Sequence, residues 1–148
     1  MSLTIQEQAL AALKTTLDGL AGVSVYRTRD AAIAEASMPA LNMLDGGWEI
    51  AQRNSGQVLW LQRVDLECFV TADSDGDLGP AVTALTGQVL TLALADPTLG
   101  GVTQDVRAER GDDPIVGQQK GQRPVAAFTI GLELAFWTRE LDPYTSAP

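Results

Sequence analysis

Apolar residues recur along this chain with two periods, one of three to four residues and one of two, and the switches between them divide it into elements. Over residues 4–20, Ile5, Ala9, Leu13, Leu17 and Leu20 fall at three- and four-residue spacing. That spacing predicts an amphipathic helix with one core stripe, stopped near Gly19 and Gly22. Val23, Val25 and Tyr26 predict a short strand, and a loop holding Arg27, Arg29 and Asp30 follows it. After a helical turn over 31–36 comes a second extended stretch at 39–43. Gly46-Gly47 and Asn54-Ser55-Gly56 read as turns, which makes 48–53 one arm of a hairpin.

The other arm is long. Over 58–71, Val58, Trp60, Val64, Leu66, Cys68 and Val70 lie on one face, and Arg63, Asp65, Glu67 and Thr71 lie on the other with Leu59, Leu61 and Phe69. This split predicts an antiparallel strand with one buried face. A polar turn, Ala72-Asp73-Ser74-Asp75-Gly76-Asp77, leads to Gly79-Pro80, where proline suits the first turn of a helix over 80–94. Its predicted stripe is Val82, Leu85, Val89 and Leu92, and Asp96-Pro97 with Gly100-Gly101 turns the chain into a strand over 102–109. Residues 110–123 have no apolar period and read as a mobile or partner-seeking loop. In the last strand, 125–137, the even positions Ala126, Phe128, Ile130, Leu132, Leu134 and Phe136 are all apolar. The expected fold class is α+β, one domain with a mostly antiparallel sheet and two helices packed on one face, in the order α-β-β-β-β-α-β-β, ending in a short polar tail.

Composition narrows the chemistry. The 148 residues include one cysteine, Cys68, and no histidine. An intrachain disulfide, a histidine-bearing zinc site and a Ser-His-Asp or Cys-His nucleophile are therefore excluded. Nineteen acidic residues against ten basic ones give a net charge of −9, which opposes non-specific binding to phosphate backbones. No apolar run approaches the roughly 20 residues needed to cross a bilayer, and the N-terminus has no signal-like character, so a soluble protein made in the cytosol, with no membrane partner, is expected.

The candidate chemical motifs are weak. Asp73-x-Asp75-x-Asp77 resembles the start of a calcium loop, but Leu78 stands where glycine is needed and Ala84 where a bidentate glutamate belongs. Asp112-Asp113 has no nucleophile or phosphate loop beside it, and Lys120 lacks the P-loop order. Neither catalysis nor a cofactor is expected. Among Trp48, Trp60 and Trp137, Trp60 shares a core face, so Trp137 is the better interface candidate.

Four stretches follow one another in order: Val25-Tyr26-Arg27-Thr28-Arg29, Met38-Pro39-Ala40-Leu41, Ala95-Asp96-Pro97-Thr98-Leu99-Gly100-Gly101-Val102 and Phe136-Trp137-Thr138-Arg139-Glu140-Leu141-Asp142-Pro143. Together, over nearly the whole chain, they resemble the tail terminator (tail completion, or minor tail) proteins of long non-contractile phage tails and gene transfer agents. The family more often has tyrosine and arginine where Phe136 and Trp137 stand. The resemblance implies a ring of six copies, part of the virion and assembled in the host cytoplasm. Such a ring caps the tail-tube protein, halts its growth, docks to the head's connector or stopper protein, and lets DNA pass through the lumen. Arg63, Asp65, Glu67, Arg107, Glu133 and Trp137 are the candidates for subunit contacts, and Asp112, Asp113, Lys120 and Arg123 for contact with the tube. Two other readings stand beside it, a head-completion stopper and a small ligand-binding α+β module.

Overall fold

The computed structural model of the chain describes residues 2–117 and 122–147. In order, the elements are α1 (Ile5–Leu17), β1 (Ser24–Arg27), a 3-10 turn (Glu35–Ser37), β2 (Ala40–Asn54), β3 (Gln57–Thr71), α2 (Asp75–Ala93), β4 (Asp105–Gly111), β5 (Ile115–Gly117), β6 (Val125–Arg139) and β7 (Asp142–Ser146). All seven strands share one curled sheet, ordered β1-β2-β3-β6-β4, with β5 and β7 also paired to β6. Only the β1–β2 pairing is parallel.

The sheet is built outward from β3 and β6, which pair antiparallel along their full length, from Gln57 with Arg139 to Thr71 with Val125. Side chains alternate across a strand, so this register puts Val64, Leu66, Cys68 and Val70 on the same face as Ala126, Phe128, Ile130, Leu132, Leu134 and Phe136. Both helices pack there. From α1 come Ile5, Ala9, Leu10, Leu13 and Leu17, and from α2 come Leu78, Leu85, Val89 and Ala93. Thr4 caps α1 by accepting a hydrogen bond from the Glu7 backbone N–H. Arg27 ties α1 to the sheet: its guanidinium donates to both Glu7 oxygens, at 2.6 and 2.8 Å, and to Asp45.

The predicted α+β class with two helices on a mostly antiparallel sheet is the observed one, but the element order differs. The two extended stretches predicted on either side of Gly46-Gly47 are one strand, β2, with register shifts between Asp45 and Trp48 and between Ile50 and Gln52. The glycine pair is a bulge and not a turn. Gln62, fully buried on the core face of β3, explains why the bulge is stable. Its side-chain amide donates to the Gly46 carbonyl at 2.9 Å and to the Arg63 carbonyl at 2.9 Å, while its oxygen accepts from Gln6. A side chain at Gly46 would meet the Arg63 Cβ and carbonyl oxygen at 3.0 Å, so glycine lets the two strands approach closely at that crossing.

Three further expectations need correction. Helix α2 begins at Asp75, five residues before Pro80, because Leu78 is buried there and Asp75 and Asp77 complement the dipole of the first turn. Its buried stripe is accordingly Leu78, Leu85, Val89 and Ala93, with Val82 and Leu92 only partly covered. The segment 110–123, expected to be a loop, holds the end of β4 and all of β5, and the polar tail is β7. After α2, the Asp96 carboxylate accepts from the Thr98 hydroxyl and from the backbone N–H groups of Thr98 and Gly100. These bonds hold a turn in which Leu99 takes a φ of 46° and is buried.

Replacing Gln62 by leucine removes the donors for two carbonyls at the bulge. The expected loss is about 1–3 kcal/mol, the cost of unsatisfied buried acceptors. Urea unfolding of Gln62→Leu checks this, and an unchanged midpoint would mean that the bulge does not depend on the amide.

Candidate functional site: the charged face of the sheet

The sheet face turned away from the helices takes the other half of each alternation. Arg63, Asp65 and Glu67 of β3 stand opposite Glu133, Gly131 and Thr129 of β6, and Arg107 of β4 stands opposite Glu133. Five of the six residues predicted as subunit contacts are therefore neighbours. The sheet curls enough that Glu49 of β2 and Glu109 of β4 line one cleft of about 340 Å³ with Trp48, Leu61, Arg63 and Glu133.

The charges on this face are largely matched within the chain. Arg107 bonds Glu133 at 2.8 Å and reaches Asp105 at 3.6 Å, Arg63 reaches Glu109 at 3.6 Å, and Arg110 lies 3.8 Å from Asp65 and 3.7 Å from Asp112. Glu67 accepts from the Asn42 amide at 3.2 Å. Exposed pairs of this kind each contribute about 0–1 kcal/mol, so their chief effect is to fix side-chain positions. Glu133 is different because it is buried, and Arg107 compensates it. The hydrogen bond shared with Glu133, and then partial burial, push the Glu109 carboxyl above its ordinary value, with Arg63 opposing.

Trp137, the sixth predicted contact residue, is half-buried on this face, and its indole N–H donates to Gln104. Trp48 is the more exposed tryptophan, at 55%, and its ring lies 4.7 Å from that of Trp60, which stacks in turn on Phe136.

The residues predicted to touch a tube do not form one cluster. Asp112 and Asp113 are exposed between β4 and β5. Arg123 sits before β6 and pairs with Asp73 at 3.0 Å, with Glu35 at 4.0 Å. Lys120 lies outside the described residues. The aspartates whose spacing resembles the start of a calcium loop are separated: Asp73 faces Arg123, whereas Asp75 and Asp77 belong to the first turn of α2. Among the described residues no group of three or more potential ligands converges on a metal position, and no helix is long and apolar enough to cross a membrane. Cys68 is buried, and burial followed by the charge of Glu67 pushes its thiol up to about 12, so it is not a poised nucleophile.

Sequence reasoning passed over Gln62, although a polar residue at an inward position of an alternating strand is itself a signal. It also passed over Arg110, whose place opposite Gly131 depends on a register shift between Ala108 and Arg110. Compared with known proteins, the chain matches no family model and no curated sequence.

The Glu109–Glu133 pair has a pH signature. Because the folded value of Glu109 is raised, the folded state keeps a proton that the unfolded chain releases. The pair's stability is thus complete below the ordinary carboxylate range and is lost as pH rises through the raised value. Glu109→Gln, which donates at every pH, is expected to raise Tm at neutral pH and to leave it unchanged in acid; melts of both proteins across that range test the sign.

Proposed function

We propose that this chain is a structural ring subunit that caps the tube of a long phage-like tail, stops its growth and gives the head its docking surface. The observation that carries the reading is the unlikeness of the sheet's two flanks. On one side are the short parallel β1 and the part of β2 beyond it; on the other are β4, β5 and β7, set one after another along β6. A head-to-tail ring requires two different and complementary surfaces on every subunit, and a chain with two equivalent flanks has none to offer.

Two further features support it. The four stretches that resemble terminator proteins all fall at joints of the fold: β1 with Arg27, the entry to β2, the Asp96 turn after α2, and the β6–β7 turn. The net charge of −9 per chain, repeated around a ring, gives a lumen wall that DNA slides past without sticking. In this reading Asp65 and Glu67 belong to that wall, and the chain needs no cofactor.

Electron microscopy of lysates from a particle with an early stop codon in this gene tests the proposal. Overlong or unjoined tails beside filled heads are expected. Normal tails beside heads that have lost their DNA would overturn the terminator reading in favour of a head-side stopper.

A further inference from the structure

We draw no further inference here: the strongest candidate, the outer face of α2 with the groove it forms against the turn after α1 at Gly19, Leu20 and Ala21, is a stripe of mostly small, uncharged residues, and nothing in the structure shows what covers it.

Discussion

The pairing of β3 with β6, fifteen residues on each side, is the constraint that every other element obeys. Its register is not free to slip. A shift of one residue would turn Val64, Leu66 and Cys68 out to water and bring Arg63, Asp65 and Glu67 against the helices, because alternate side chains point to opposite faces. Burying even one of those charges without a partner costs several kcal/mol, more than a small domain can spare. The separation of the molecule into an apolar face under two helices and a charged face beyond them is therefore one decision, made along one ladder.

Two polar side chains interrupt that division, and both are matched with care. Gln62 enters the core and spends its amide on the bulge in β2, which lets the long hairpin bend without leaving a carbonyl unpaired. Glu133 is buried on the opposite face between Arg107 and Glu109. The first irregularity shapes the backbone, and the second shapes the electrostatics of the cleft above it. Both sit close to the same stretch of β3, where Gln62 and Arg63 are consecutive.

Much of this was legible in the sequence, for a physical reason. The even positions of 125–137 and the alternation over 58–71 depend only on strand geometry, and the stripe Ile5, Ala9, Leu13 and Leu17 only on helix geometry, so pattern reading found them. The alternation also brought Arg63, Asp65, Glu67, Arg107 and Glu133 to one face. What escaped depends on partners distant in sequence. Gly46-Gly47 looks like a turn until Gln62 is known to supply its donors. Residues 115–117 and 142–146 are too short to show a period, and become strands only because β6 offers a free edge. A local proline rule puts the start of α2 at Pro80, and the burial of Leu78 overrides it.

The outer line of strands beside β6 is broken by the register shift between Ala108 and Arg110, by Asp112-Asp113-Pro114 between β4 and β5, and by the change from β4 to β7. An unbroken edge is a template on which any extended chain can zip up, and proline and irregular pairing are ways of spoiling it. Here each uninterrupted piece is only a few residues long, and the acidic pair Asp112-Asp113 follows β4. An extended neighbour would find too few consecutive hydrogen-bonding groups along this edge to hold it.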